Sequence, residues 1–251
     1  MRKTFASALA AGAALLIAGP VAAADMPEYP DIPQVDYDIG GSFYLRGSAA
    51  LNWHWAPEVK HPWFSETDAI VDYGYGYSWG AGFGYETGTG LRFDATIDSV
   101  ETTGLKITKT GGDDPPTGDN GDYTLMLRST VALANVYYDF GLGGDWSYSS
   151  GAGGAFGYVG AGVGAAWNHT ETNSPWGVPV PVPTGTNVSA AAAVMAGVGY
   201  DMGSWVADIG YRGLYINQIN NAPTDTTSEG YFEIDNNWIH ELRGTIRYRF
   251  N

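Results

Sequence analysis

The chain ends in the stretch Trp238-Ile-His-Glu-Leu-Arg-Gly-Thr-Ile-Arg-Tyr-Arg-Phe250, in which two kinds of residue alternate. One set of positions carries aromatic and aliphatic side chains, from Trp238 through Ile246 to Phe250, and the positions between them carry a glutamate and three arginines. Because successive side chains of a β-strand point to opposite faces, this alternation predicts a strand with one apolar and one charged face. A strand in a soluble antiparallel sheet can alternate in the same way, so the rest of the chain must decide its surroundings.

Seven stretches upstream repeat the two-residue period, which makes eight predicted strands. The clear ones are 43–53, 77–86, 91–98 and 205–215, and the weaker ones are 123–140, 156–167 and 188–200. In the stretch 123–140 we expect a bulge or register change near Asn135. For 188–200 a strand is favoured over a helix, because glycines follow closely after its run of alanines.

The connections between the predicted strands alternate in length. They contain roughly 20, 4, 21, 14, 19, 4 and 20 residues in chain order. Loops of this length are uncommon in compact soluble domains, whereas long loops at one end and short turns at the other are typical of outer-membrane barrels. The sequence therefore predicts an all-β protein, an eight-stranded antiparallel up-and-down transmembrane β-barrel over residues 40–251.

Composition narrows the function classes. The 251 residues include 12 Lys+Arg against 27 Asp+Glu, which gives a net charge of −15 and argues against nucleic acid as a partner. The chain has no cysteine, which excludes a disulfide scaffold and thiolate metal sites. Only one stretch, near the start, is continuously apolar, so a bundle of membrane helices is also excluded.

The first 39 residues predict export. Arg2 and Lys3 precede an apolar run, and three alanines precede Asp25, which is the layout of a cleaved signal peptide over residues 1–24. Residues 25–39 are rich in proline and are predicted to form an extended periplasmic tail. Together with the barrel pattern, this predicts a location in the outer membrane.

Charged and aromatic residues are predicted to take opposite faces of the strands. The predicted lumen charge network consists of Arg46, Glu86, Arg92, Asp94, Asp98, Arg128, Asp208, Arg212, Glu241, Arg243, Arg247 and Arg249. The predicted membrane-facing aromatic residues are Phe43, Trp53, Tyr77, Trp79, Phe83, Trp205, Tyr211, Tyr215, Trp238, Tyr248 and Phe250. An arginine turned to lipid near the midplane costs about 2–4 kcal/mol, which favours the inward placement of charge. We expect inward glycines, such as Gly80 and Gly160, to leave room for arginines.

Two interpretations of these inward charges stay open. Ion pairs could fill and stiffen the lumen, or a lining of mixed charge could form a narrow conducting path. The first makes the barrel a structural element, and the second makes it a channel for small solutes.

Several stretches resemble a known protein family. They include Phe43-Tyr-Leu-Arg-Gly47, Asn135-Val-Tyr-Tyr-Asp-Phe-Gly141, Tyr158-Val-Gly-Ala-Gly-Val-Gly164 and the C-terminal stretch. Together they resemble the small eight-stranded outer-membrane β-barrel proteins of Gram-negative bacteria, in particular the alphaproteobacterial surface-protein and porin-like group related to OmpA-like and opacity barrels. The final aromatic residue of that family is displaced by one position here, because Asn251 follows Phe250.

The resemblance implies a structural protein that supports envelope integrity and displays four long surface loops. It implies contact with outer-membrane lipid and lipopolysaccharide, insertion by the barrel-assembly machinery, and a possible host or environmental ligand at the loops. The alternatives are a narrow porin-like channel, or an adhesin or heme binder that acts through its loops.

Residues for catalysis or for a cofactor are not predicted. The histidines His54, His61 and His169 are expected at or in loops and His240 on the outer face, so no Ser–His–acid set is indicated and the protein is predicted not to be an enzyme. The acidic loop 111–122 lacks the spacing of a known calcium loop, so divalent-cation binding stays only an alternative there. The proline-rich segment 175–183 is the best candidate for contact with another molecule.

Overall fold

The computed structural model describes residues 41–56, 58–60, 69–109, 121–143, 153–173, 184–221 and 233–250. The strands in these ranges are β1 (Ser42–Trp55), β2 (Glu58–Lys60), β3 (Ala69–Asp72), β4 (Gly74–Glu86), β5 (Leu91–Lys109), β6 (Gly121–Gly141), β7 (Gly154–Asn173), β8 (Thr184–Asp201), β9 (Trp205–Asn220) and β10 (Glu233–Phe250). Helices long and apolar enough to cross a bilayer do not occur in these ranges. The predicted signal peptide and tail, His61, residues 111–120 of the acidic loop and the segment 175–183 lie outside the described residues.

Eight long strands close into a ring. β1 pairs antiparallel with β4, each of β4–β9 pairs antiparallel with the strand that follows it, and β10 pairs with β1 to close the ring. Closure removes the free sheet edges that would otherwise leave backbone donors and acceptors unpaired. The predicted eight-stranded antiparallel up-and-down barrel is therefore confirmed. The short strands β2 and β3 extend the sheet by pairing with β10 and β5.

The stagger of the strands sets the width of the barrel. Following paired residues once around the ring from Phe43 returns to β1 at Trp53, ten residues further along. A stagger of ten over eight strands corresponds to a strand tilt of about 40°, within the usual range for barrels. At this width the interior is filled by the inward side chains.

The two ends of the barrel differ in their connections. We call the end at which β1 and β5 finish the loop end, and the opposite end, where Glu86 leads into Leu91 and Asp201 into Trp205, the turn end. Several strands extend further at the loop end than predicted, since β5 continues to Lys109 and β7 to Asn173. The alternation of apolar and polar residues stops before the backbone pairing does. It therefore predicts where the ring of outward apolar side chains lies, here called the apolar belt, but not where the strands end.

The expected bulge near Asn135 is wrong. Pairing between β6 and β7 runs without a shift from Thr124 to Gly141, and the side chains of Asn135 and Tyr137 both point inward. The irregularity lies instead in β5, between Thr102 and Leu105. Gly104 stands there with a φ of +83°, which glycine adopts at little cost.

Candidate functional site in the barrel interior

Almost all of the predicted lumen charges lie inside the barrel. Those buried there are Arg46, Glu86, Arg92, Asp94, Asp98, Arg212, Glu241, Arg243, Arg247 and Arg249. Asp208 is inward as well, with its side chain 5% exposed. Arg128 is the exception and is described below.

The middle of the lumen holds a cluster of two arginines and two carboxylates. We call Asp98, Arg212, Glu241 and Arg243 the central cluster. Arg212 donates from Nη1 to Asp98 at 2.7 Å and from Nε to Glu241 at 2.5 Å. Arg243 donates to the same two carboxylates at 2.7 and 3.0 Å. Opposite charges are therefore matched in number, which buried ions require.

Two serines extend the hydrogen bonding of the central cluster. The Ser78 hydroxyl donates to Glu241 at 2.7 Å, and Arg243 donates to the Ser48 hydroxyl at 2.5 Å. Arg212 and Glu241 are direct cross-strand partners, whereas Asp98 reaches them from the far wall of the barrel. The cluster thus ties β5 to β9 and β10 across the lumen.

A second group of ion pairs lies toward the turn end. Arg247 and Arg249 both donate to Glu86, the latter at 2.6 Å, and Arg249 also reaches Asp201 at 2.8 Å. The guanidinium of Arg92 forms a two-point pair with a further carboxylate, that of Asp139, at 2.9 and 3.1 Å.

Sequence reasoning missed Asp139 and Asp201. Asp139 is two residues from the inward residue Tyr137, so uninterrupted alternation predicts an inward side chain for it as well. The bulge expected near Asn135 hid this pattern. Asp201 was assigned to a turn, although it is the last residue of β8.

Aromatic rings fill the space beside the inward glycines. A Cβ on Gly160 would stand 2.4 Å from the ring of Tyr137, and one on Gly199 would meet Phe156 at the same distance. The expectation that inward glycines leave room for arginines is wrong at Gly160 and Gly199, where rings fill the space, and at Gly80, where the Asp98 carboxylate does. It holds at Gly82, where Cγ of Arg46 lies 3.1 Å from the position of an added Cβ. The guanidinium of Arg92 stacks on the Tyr137 ring at 4.1 Å.

An apolar layer covers the central cluster on its loop-end side. Val100, Leu214 and Ile239 each lie two residues nearer the loop end than a member of that cluster, and all three are fully buried. Ile216 continues the layer and is also fully buried. Charge patterning does not reveal this layer in the sequence, because its inward side chains carry no charge.

His54 lies inside the barrel rather than in a loop. It is a residue of β1, is fully buried, and its Nε2 lies 3.0 Å from Oδ1 of Asn237. The prediction of a loop position is therefore wrong, because β1 remains paired beyond the apolar belt. His169 is likewise in a strand, β7, and not in a loop.

Arg128 lies on the outer face of β6, against expectation. Its neighbours Leu127 and Ser129 are the buried, inward residues, so alternation turns Arg128 outward, where it is exposed. It pairs across the strands with Glu101 and His169, near the loop end. An outward arginine costs little near the end of an apolar belt, about 0–1 kcal/mol.

The outer face carries the predicted aromatic residues. Phe43, Trp53, Tyr77, Trp79, Phe83, Trp205, Tyr211, Tyr248 and Phe250 are exposed there, and Tyr215 and Trp238 are half-buried. Neighbouring rings contact one another, as in Trp205 with Tyr248 at 4.9 Å between ring centres. His240 is also on this face, with its Nδ1 2.6 Å from the hydroxyl of Tyr211.

Clusters of three or more residues able to hold a metal ion are not found in the described ranges.

The solved structures that resemble this chain include the following three. Neisserial surface protein A is 20% identical, with a TM-score of 0.49, and the match covers 84% of this chain and 99% of that one. The N-terminal β-barrel domain of Pseudomonas aeruginosa OprF is 13% identical, with a TM-score of 0.39 and coverage of 81% and 97%. The attachment invasion locus protein Ail of Yersinia pestis is 12% identical, with a TM-score of 0.36 and coverage of 84% and 99%.

Protein-family models and curated protein sequences give no match to the chain. The closed ring of strands, and not these distant likenesses, establishes the fold.

Proposed function

We propose that this protein is an integral outer-membrane barrel with a structural role, which stabilises the envelope and displays its loops without conducting solutes. The observation that carries the proposal is the reversed distribution of polarity. Arg247 and Glu241 are fully buried, whereas Ile97 is 64% exposed and Trp79 is 60% exposed. A soluble protein would bury the apolar side chains and expose the ions.

A lipid environment accounts for this distribution. Within a bilayer, the exposed apolar side chains contact lipid rather than water, so their exposure carries no hydrophobic penalty. The closed ring pairs the backbone N–H and C=O groups of each strand with those of its neighbours. The aromatic residues toward each end of the outer face, such as Phe43 and Trp53, match the interfacial girdles of transmembrane barrels. A signal peptide, as predicted for residues 1–24, would deliver the chain to the periplasm for insertion.

The filled lumen supports a structural role over a channel. A hydrated ion would have to pass the fully buried side chains of Val100, Leu214 and Ile239, which provide no polar group to replace its water. Beneath them, the carboxylates of Asp98 and Glu241 are already occupied by guanidinium groups. This arrangement ties opposite walls of the barrel together, which supports a structural role.

The direction of insertion supports loop display. The chain leaves the barrel at the loop end after β1, β5, β7 and β9, and short turns at the other end are the periplasmic side in barrels of this kind. The four loop-end connections would then face the exterior and present surface to a host or environmental ligand.

Two measurements test the proposal. Protein folded into phosphatidylcholine vesicles should migrate differently in SDS gels before and after boiling, and it should resist protease in the strands. In planar bilayers the same preparation should show no stable single-channel openings. A soluble, heat-insensitive protein would refute membrane insertion, and reproducible openings would refute the closed lumen while leaving insertion intact.

A further inference from the structure

An open pocket lies on the outer wall of the barrel, across β5 to β8. Its volume is about 680 Å³, and its outward side chains include Glu101, Arg128, Thr130, Trp167, His169 and Val188. The buried residues that line the pocket, such as Ser129 and Asn168, form only its floor, because alternation turns their side chains into the lumen. The pocket is therefore separate from the interior charge clusters.

Arg128 differs from the other arginines in the described ranges. Arg46, Arg92, Arg212, Arg243, Arg247 and Arg249 are all buried and ion-paired. Arg128 is exposed, and no described carboxylate lies within 4.0 Å of its guanidinium. An exposed guanidinium with free donors, held beside a pocket, is suited to phosphate.

A carboxylate stands next to this guanidinium in the pocket. Glu101 is the cross-strand partner of Arg128, and its Oε2 accepts a hydrogen bond from the Tyr77 hydroxyl at 2.9 Å. That bond holds the carboxylate on the outer face without neutralising it. On the other side, His169 lies 3.6 Å from Glu171. The pocket therefore presents a guanidinium and a carboxylate on neighbouring strands, with no ion pair within 4.0 Å between them.

The pocket lies at the border of the apolar belt. Trp167 and Val188 are direct cross-strand partners and are 49% and 63% exposed, so they form an apolar lower wall. Arg128 pairs with His169, two residues nearer the loop end than Trp167. An occupant would meet apolar side chains on the membrane side and charged groups on the exterior side, which is the polarity of a lipid at its headgroup.

We propose that this pocket binds the headgroup of a phosphoethanolamine-bearing membrane lipid, with the phosphate on Arg128 and the ammonium on Glu101. The first carbons of its acyl chain would pack against Trp167 and Val188. A purely anionic headgroup would be repelled by Glu101, and a choline headgroup has no N–H to donate to it. This inference rests on the proposed membrane insertion and adds a specific lipid partner to it.

The test is lipid binding to the full-length folded protein by native mass spectrometry. The protein is first folded in phosphatidylcholine vesicles, checked by heat-dependent gel migration, and transferred to a non-ionic detergent. Phosphatidylethanolamine, phosphatidylglycerol, phosphatidylcholine and soluble phosphoethanolamine are then titrated separately. We expect phosphatidylethanolamine to bind most tightly. Arg128→Gln should weaken that binding about tenfold, the size expected for loss of a charge-assisted hydrogen bond.

Two further variants separate the parts of the site. Glu101→Gln should abolish the preference for phosphatidylethanolamine over phosphatidylglycerol while retaining phosphate-dependent binding. Lys106→Gln is the control. It removes a cation of β5 that lies outside the pocket, with its Nζ 4.0 Å from Oδ2 of Asp72, and it should leave the affinity for every lipid unchanged.

The proposal would be overturned if Arg128→Gln bound each lipid as tightly as the wild type does. It would also be overturned if Arg128→Gln and Lys106→Gln lost the same amount of affinity for phosphatidylethanolamine. Binding of soluble phosphoethanolamine as tight as that of the lipid would also overturn it, because the acyl contact would then be unused. Failure to fold in vesicles would instead refute membrane insertion, and the gel check detects this before any titration.

Discussion

The most direct test of the outward apolar face is an arginine placed in its middle. Ile97 is 64% exposed, lies on β5 between the positions of Phe93 and Glu101, and pairs with Ala81 and Ala132. It lies away from the aromatic residues at both ends of the outer face, which places it near the centre of the proposed lipid-facing belt. Ile97→Arg would therefore put a guanidinium close to the bilayer midplane.

The expected cost follows from depth. An arginine at the midplane of a barrel costs about 2–4 kcal/mol, which lowers the folding equilibrium constant about 30-fold to 900-fold. Val188 provides a matched control, because it is 63% exposed on the same outer face but partners Trp167 near the loop end. Val188→Arg should cost only about 0–1 kcal/mol there.

Urea unfolding in phosphatidylcholine vesicles, followed by tryptophan fluorescence, measures both costs. Ile97→Leu keeps the side chain apolar and should unfold close to the wild type. Equal losses for Ile97→Arg and Val188→Arg would show that depth does not matter and that this face does not contact lipid. A loss below about 1 kcal/mol for Ile97→Arg would refute the reasoning in the same way.

Three further variants test the interior. Glu241→Gln should lower the unfolding free energy by about 3–5 kcal/mol, because two buried guanidiniums would then share one carboxylate, and a change in urea midpoint too small to measure would contradict this. Gly160→Val should cost about 1–3 kcal/mol through its clash with Tyr137, whereas Gly47→Val, where no atom lies within 4 Å of the new Cβ, should cost far less in the same assay. Ile239→Ala should cost about 2–5 kcal/mol by opening a cavity in the apolar layer, and a stability equal to that of the wild type would show that this layer is not packed.

The strands were predictable where one face is apolar. Alternation located all eight long strands, including the alanine-rich β8, since a buried or lipid-covered face demands a period of two. It did not locate the strand ends, because β5 and β7 continue with polar side chains beyond the belt. For the same reason His54 was expected at or in a loop, although it is a buried residue of β1.

The face of most charged residues was also predictable, but their partners were not. Arg212 and Glu241 could be assigned inward from their own strands. That Asp98 meets both Arg212 and Arg243 depends on which residues the closed ring places opposite one another. The outward position of Arg128 was hidden because its stretch was read with a break in alternation.

The sequence by itself determined the number of long strands, their up-and-down order and the outward side of the aromatic residues predicted to face the membrane, because these depend on local periodicity and on the length of the connections. Only the tertiary structure decided the ion pairs, the apolar layer above the central cluster and the outer-wall pocket at Arg128. These depend on the stagger of the closed ring, which brings residues from distant strands to the same height. Stagger arises from the pairing of all eight strands together, and no single stretch of the chain encodes it.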